Sequence, residues 1–100
     1  MLIKLNDTEY KSVKMTRKYY KIYMDAFKKL ENKEIYDDDD LDLMVNTLVK
    51  IYNNKFTEEQ INEELAVSDI IYNFMMLQVD ENIELQNKIE KAQESFLKSK

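Results

Sequence analysis

The residues best suited to chemistry are five carboxylates in the stretch YDDDDLDLMV, residues 36–45. They are Asp37, Asp38, Asp39, Asp40 and Asp42. Neighbouring carboxylates repel, so such a run needs something positive nearby: a bound cation, a basic partner or the electropositive start of a helix. A calcium loop needs glycine at its sixth position and glutamate at its twelfth. Counted from Asp37, these positions hold Asp42 and Leu48, so the spacing disfavours a cation site.

The apolar run that follows the aspartates favours the helix start. Asp38 or Asp39 would cap free backbone N–H groups, and the other carboxylates would lie in or just before the first turn, where the helix dipole favours anions. The alternative is an acidic docking surface for a basic partner.

The composition removes most other routes to catalysis. The chain of 100 residues contains no histidine, cysteine, glycine or proline. It therefore lacks the commonest general base, thiolate chemistry and a glycine-rich phosphate loop. We expect a protein that is not an enzyme and that uses no cofactor or metal.

Hydrophobic spacing predicts a mainly α fold: a single small four-helix domain with a short N-terminal β-hairpin and a long C-terminal helix. We expect the hairpin in residues 1–14, with Asn6-Asp7 at its turn, the helical core in 16–79 and a helical tail in 80–100. Thr16 is the expected N-cap of the first helix. The apolar stripe of this first helix is Tyr20, Tyr23, Met24, Phe27 and Leu30.

The stretch KFTEEQINEEL predicts a third, short helix ending near Leu65. Thr57 and Gln60 have the spacing of a capping box, and Phe56 and Ile61 that of a hydrophobic staple. The fourth helix is expected to be capped at Ser68 or Asp69. It is apolar on most faces to Val79 and sparsely apolar beyond Asp80, so its last residues should fray.

Charge is distributed unevenly. Residues 1–36 hold nine Lys or Arg against five Asp or Glu, whereas residues 37–72 hold two against ten. A basic first helix and an acidic centre could drive salt-sensitive self-association into a homo-oligomer. The segment KYYKIY, residues 18–23, could instead stack bases, although the tyrosines also fit a core and the acidic centre would repel a polyanion.

The N-terminus shows no leader-like apolar core, and no run approaches the roughly 20 apolar residues that span a bilayer. We therefore expect a cytoplasmic protein without membrane association.

The order of segments resembles the tail assembly chaperones of long-tailed phages and prophages of Gram-positive bacteria, counterparts of the G-type chaperone of lambda-like phages. A lysine-bearing hairpin is followed by TRKYYKIYMDAFKKLE and then by YDDDDLDLMVNTLVKIYNNKFTEEQI. The resemblance covers about residues 1–70. Members often have a glycine before the asparagine near position 54, where this chain has Asn53; asparagine can also take the left-handed conformation. A second glycine is common where this chain has Glu63-Glu64.

The resemblance implies a non-enzymatic role in virion morphogenesis. Such chaperones bind the long helical tape measure protein, help recruit the major tail protein, act in the host cytoplasm and are absent from the mature virion. Helix-in-groove binding is the expected mode. For the contact surface we predict five residues around the sequence FMML, which could also be core: Phe74, Met75, Met76, Val79 and Ile83. A small helical nucleic-acid-binding regulator using the basic first helix is the alternative.

Overall fold

A computed structural model describes residues 2–98, and within them the predicted architecture is confirmed. The chain is mainly helical, with an N-terminal antiparallel hairpin, four helices and a long last helix. The elements are β1 (Leu2–Leu5), β2 (Thr8–Lys11), α1 (Arg17–Leu30), α2 (Asp38–Ile51), α3 (Glu58–Glu64) and α4 (Val67–Lys98).

Helix α2 lies at the centre of the packing. It contacts α1, α3 and α4, whereas the hairpin meets α3 through β1. Half of its residues are buried, and they spread over more than one face: Asp40, Met44, Val45, Thr47, Leu48, Val49 and Ile51. The Thr47 hydroxyl donates a hydrogen bond to the Leu43 carbonyl at 2.7 Å, so burial leaves this polar group satisfied.

Aromatic side chains join the other elements around α2. The Tyr23 ring of α1 lies 5.2 Å from the Phe74 ring of α4, between ring centroids. Phe56, just before α3, packs against Tyr52 at 5.2 Å and against Tyr10 of β2 at 5.3 Å. Both residues of the predicted staple, Phe56 and Ile61, are buried. One continuous core therefore includes the hairpin as well as the four helices.

The turns use asparagine where a positive φ is needed. Asn6 has φ 53° in the hairpin turn, as expected, and Asn53 and Asn54 have φ 54° and 58° after α2. The Asn54 N–H donates to the Val49 carbonyl at 3.0 Å, which is the six-residue bond of a Schellman motif. Asparagine thus provides the left-handed turn at position 53 without glycine.

Helix ends match the predictions in part. Thr57 and Gln60 form the predicted capping box, and α3 ends at Glu64 with Leu65 as C-cap. Thr16 is the N-cap of α1, but its side chain makes no cap hydrogen bond. The predicted cap of α4 at Ser68 or Asp69 was wrong, because the helix begins earlier, at Val67. The Ala66 carbonyl already accepts from the N–H groups of Asp69 and Ile70.

The apolar stripe of α1 also differs from the prediction. Tyr20 is 38% exposed, whereas Ala26 is buried beside Tyr23 and Leu30. The position of α2 determines which face of α1 contacts the core. This face is rotated to one side of the predicted stripe. Helix α4 continues to Lys98, and any fraying at residues 99–100 lies outside the described residues.

Two core tyrosines give a first prediction. The hydroxyls of Tyr23 and Tyr52 are buried without a hydrogen-bond partner. Because an unpaired buried polar group is unfavourable, Tyr52→Phe should leave the free energy of unfolding unchanged or raise it by up to about 1 kcal/mol. Tyr72→Phe, at a residue 61% exposed, is the matched control and should change nothing. Denaturant unfolding at pH 7 measures both, and a clear loss of stability in Tyr52→Phe would contradict the structure.

The same burial predicts an alkaline limit to stability. Burial, with a smaller effect of Tyr20, raises the pKa of Tyr23 from 10.0 to about 12, and burial also raises the pKa of Tyr52. The unfolded chain ionises at the lower pKa, so this stability is complete below pH 10 and is lost as the pH rises above it. Tyr23→Phe should therefore lose less stability than the unsubstituted protein between pH 9 and 11. Equal losses of stability in the two proteins would show that ionisation of Tyr23 does not contribute to the alkaline limit.

Candidate client-binding groove

The aspartate run begins α2, with a cap one or two residues earlier than predicted. Asp37, rather than Asp38 or Asp39, is the N-cap, since its extended backbone places its carboxylate over the first turn. Its side chain accepts from the Asp40 N–H at 2.9 Å, and the Asp40 carboxylate accepts from the Asp37 N–H at 3.0 Å. The two aspartates thus form a reciprocal capping box.

Asp40 is the member of the run that is buried, at 7% exposure, and it is paired. Its second carboxylate oxygen accepts from the Lys33 ammonium at 2.6 Å. The hydrogen bond from Lys33, with that from the Asp37 backbone, holds the pKa of Asp40 below its usual 3.8. The same hydrogen bond raises the pKa of Lys33. The positive neighbour that the aspartates require is therefore a helix N-terminus together with one lysine.

The remaining carboxylates of the run, Asp38, Asp39 and Asp42, are exposed to solvent. Residues 2–98 contain no group of three or more His, Cys, Asp or Glu side chains placed to hold a metal ion. These three carboxylates remain accessible to a basic partner.

A large concave surface lies along α4. It is an open groove of about 830 Å³ between the middle of α4 and the segment that links β2 to α1. The lining from the hairpin and the link is Leu2, Lys11, Ser12, Val13, Lys14 and Met15. The lining from α4 runs from Tyr72 to Asn87, which is about 22 Å of helix.

Hydrogen bonds at three points fix the wall opposite α4. The Asn6 side chain at the hairpin turn donates to Glu64 of α3 at 2.7 Å. At the other end of the hairpin, the Lys55 ammonium donates to the Lys11 carbonyl at 3.1 Å. The Val13 N–H then donates to the Ile51 carbonyl at the end of α2, also at 3.1 Å. The groove is therefore built on the hairpin as well as on the helices.

Along one edge of the groove, α4 presents an apolar stripe that is exposed except at the partly buried Met76. We call it the groove stripe: Tyr72, Met76, Val79 and Ile83. Their spacing of four, three and four residues places them on one face of the helix. Tyr72 is 61% exposed, Val79 43% and Ile83 53%. Tyr72, Met76 and Ile83 line the groove, and Val79 lies on the same stripe. An exposed apolar row beside a groove is typical of a surface that binds another helix.

The predicted contact residues divide between the core and this stripe. Met76, Val79 and Ile83 lie on the groove stripe, whereas Phe74 is fully buried against Tyr23 and cannot meet a partner at the surface. Met75 is partly buried and packs against the core. Phe74 was therefore wrongly placed at the surface, because a residue two positions from Met76 points to nearly the opposite side of the helix. Met75 lies about 100° around the helix from Met76 and is partly exposed, so it stays a prediction.

Sequence reasoning missed Tyr72 and the opposite wall. Tyr72 could have been found, since it continues the spacing of Met76, Val79 and Ile83 by one turn. The sequence gives no such signal for the opposite wall, because only the docking of the hairpin brings Leu2, Val13 and Met15 to α4.

The groove carries charges of both signs on opposite sides. Lys11 and Lys14 lie on the hairpin side, and Asp80, Glu81 and Glu84 lie on α4. Partial burial, followed by the neighbouring Glu84, raises the pKa of Glu81 above its usual value. A ligand that is apolar along its centre and basic where it meets α4 would complement this arrangement.

No helix in the described part of the chain combines the length and the apolar character needed to cross a bilayer. Comparisons with known protein families, with curated proteins and with solved structures find no match to this chain.

The pairing at the start of α2 predicts an acid limit to stability. A lowered pKa in the folded state means that Asp40 stabilises the fold above its unfolded pKa of 3.8, and that this contribution disappears as the pH falls below it. Asp40→Asn should therefore be less stable than the unsubstituted protein at pH 7, with a difference that shrinks towards pH 2. Denaturant midpoints across this range measure it.

Asp39→Asn is the matched control, because Asp39 belongs to the same first turn but is exposed. It should change the free energy of unfolding by no more than about 0.5 kcal/mol. If the two variants showed the same pH dependence, the Lys33–Asp40 pair would not be responsible.

Proposed function

We propose that this protein is a non-catalytic tail assembly chaperone that binds the tape measure protein and helps recruit the major tail protein during phage tail morphogenesis. The client segment is an amphipathic helix whose apolar face lies in the groove along α4. The groove stripe is the observation on which this proposal rests, because it leaves apolar side chains exposed beside a concave surface.

The chemistry of the groove supports a tolerant helix-binding surface. Methionine and tyrosine adapt to varied apolar partners, the first through its flexible thioether and the second through its large amphipathic ring. A tape measure protein presents long helical segments of varied sequence, so a chaperone for it needs contacts that do not depend on one fixed shape. The charged sides of the groove would fix the orientation of the client.

The sequence supports a role without catalysis. Without histidine or cysteine, a general base or a nucleophile would have to come from carboxylates, lysines, tyrosines and hydroxyls. The buried carboxylate of the aspartate run is used to cap α2.

Charge placed on the groove stripe tests the proposal. The double variant Tyr72→Glu/Ile83→Glu should weaken binding of the co-expressed tape measure protein at least about 100-fold, because both residues line the groove and two carboxylates would be buried against an apolar helix. Co-purification and titration calorimetry with tape measure fragments measure the loss. Circular dichroism should show an unchanged helical content, since both residues are exposed in the fold.

Ile35→Glu is the matched control, because Ile35 is 84% exposed and lies between α1 and α2, outside the groove lining. It should bind the client as the unsubstituted protein does. Undiminished binding by the groove variant would remove the groove from the proposal, and no binding by any form would remove the client.

One surface favours a second candidate function, nucleic-acid binding. A shallow face of α1 brings together Arg17, Lys18, Lys21 and Lys28 around the exposed ring of Tyr20. Cations next to an accessible aromatic ring suit a single-stranded polyanion. Asp25 lies in the same face, and the Lys18 ammonium is 5.5 Å from the Tyr19 ring centroid, so part of this surface is internally compensated.

Charge reversal separates the two functions. If α1 binds nucleic acid, the triple variant Arg17→Glu/Lys18→Glu/Lys21→Glu should abolish salt-sensitive retention of single-stranded DNA, measured by fluorescence anisotropy. The groove variant should retain it. If the protein is a chaperone alone, neither the unsubstituted chain nor either variant retains DNA at physiological salt.

A further inference from the structure

The last turns of α4 carry a second apolar row, distinct from the groove stripe. Leu85, Ile89, Ala92 and Phe96 are separated by four, three and four residues, the alternation of a and d positions in a coiled-coil heptad. We call this row the tail seam. Leu85 is 58% exposed, Ile89 42% and Phe96 61%. Ile89, Ala92 and Phe96 border one open depression of the surface with Gln93 and Leu97.

The seam lies on a different face of α4 from the groove stripe. At about 100° per residue, Leu85 to Phe96 project roughly 140° away from the direction of Tyr72, Met76 and Ile83. A helix that lay in the groove would therefore leave the tail seam accessible, and the two surfaces can act independently.

Charges are placed away from the seam. In the heptad defined by Leu85 and Ile89, the flanking e and g positions between residues 86 and 95 are Gln86, Lys88, Gln93 and Ser95. Lys88 is the single charged member of this set, and its ammonium already pairs with Glu84 at 3.3 Å on the same helix. Glu90, Lys91 and Glu94 lie on the outer positions. A second copy of the tail can thus approach without a like-charge contact.

Side-chain volumes favour one register. When two tails run antiparallel with Ile89 opposite Ala92 of the second copy, Leu85 falls opposite Phe96, and each small residue faces a large one. The flanking Lys88 then faces Ser95 of the second copy. In a parallel pair, Ala92 would face Ala92 and Phe96 would face Phe96, which places an underfilled layer beside an overfilled one.

The position of the folded body favours the same orientation. Ile70, Phe74 and Leu77 direct α4 onto the core, and the tail seam lies only about 60° from their direction around the helix axis. A parallel partner would carry its own body into this one near residue 80. The tail, residues 81–98, is about 27 Å long. In an antiparallel pair, the free end of the partner's tail therefore lies where this body begins, and the two bodies lie at opposite ends of the coiled coil.

We propose that the tail of α4 is a dimerisation element, and that two copies of this chain associate through an antiparallel coiled coil of their tail seams. Four apolar layers make a short interface, so the dimer is reversible and its population depends on concentration. The groove of each copy stays open, so one assembly presents two client sites.

Sedimentation equilibrium of the full chain across a concentration series tests the proposal. The unsubstituted protein should change from monomer to dimer, and Ile89→Glu should raise the dissociation constant about 100-fold or more, because the seam would bury a carboxylate from each copy. Ile83→Glu is the matched control, since it introduces the same change at a residue 53% exposed on the other face of the helix. It should dimerise normally.

Two results would overturn the inference: a chain that stays monomeric at all concentrations, or a dimer that Ile89→Glu leaves unaffected. Neither depends on the client. Ile89→Glu should still bind the tape measure protein, and failure of client binding in every form would leave the dimer result intact.

Disulfide trapping determines the orientation, and the absence of native cysteine makes it unambiguous. Chains with Ile89→Cys are mixed with differently tagged chains carrying Ala92→Cys and are oxidised. The antiparallel register places these two positions opposite each other and should give mainly the mixed disulfide. Predominant pairing of each variant with itself would indicate a parallel dimer and would overturn the proposed register.

Discussion

The burial of α2 on several faces is the constraint on which the other elements depend. Helix α2 contacts α1, α3 and α4, and capping groups close in sequence determine where it begins and ends. At its start, the Asp37 and Asp40 carboxylates each accept the other residue's backbone N–H, and Lys33 balances the buried Asp40 carboxylate. At its end, Asn53 and Asn54 turn the chain back in the left-handed conformation and close the Schellman motif. The four consecutive aspartates are thus explained largely by this helix.

Covering α2 also determines the form of α4. Ile70, Phe74 and Leu77 are used to close the core, and burial decreases steadily beyond them until every residue from Asn82 to Leu97 is exposed. A helix of 32 residues is much longer than the body it covers. Its length therefore creates surfaces that the fold itself does not use: first the groove stripe beside the hairpin, then the tail seam beyond the body. Their apolar character is unfavourable in water unless another chain covers them.

The hairpin illustrates how a marginal element becomes useful. Two strands of four residues are unstable alone, and here they are held by the burial of Ile3 and Leu5 and by polar contacts to α2, α3 and the loop between them. In return, the hairpin and its link supply one wall of the groove. The proposed client site consequently depends on long-range docking between residues 2–15 and the middle of α4.

Local signals in the sequence determined the elements and several of their ends. The capping box of Thr57 and Gln60, the hairpin turn at Asn6 and the left-handed turn at Asn53 depend on side chains within a few residues, so spacing alone identifies them. Only the tertiary structure decided which face of each helix is covered. Neighbours in sequence such as Phe74 and Met76 are equally apolar, and the position of α2 makes one core and leaves the other beside the groove. The tertiary structure likewise decided that Ala26 is buried and Tyr20 is exposed. Burial depends on what lies opposite a side chain, and in a folded protein this is often a residue far along the chain.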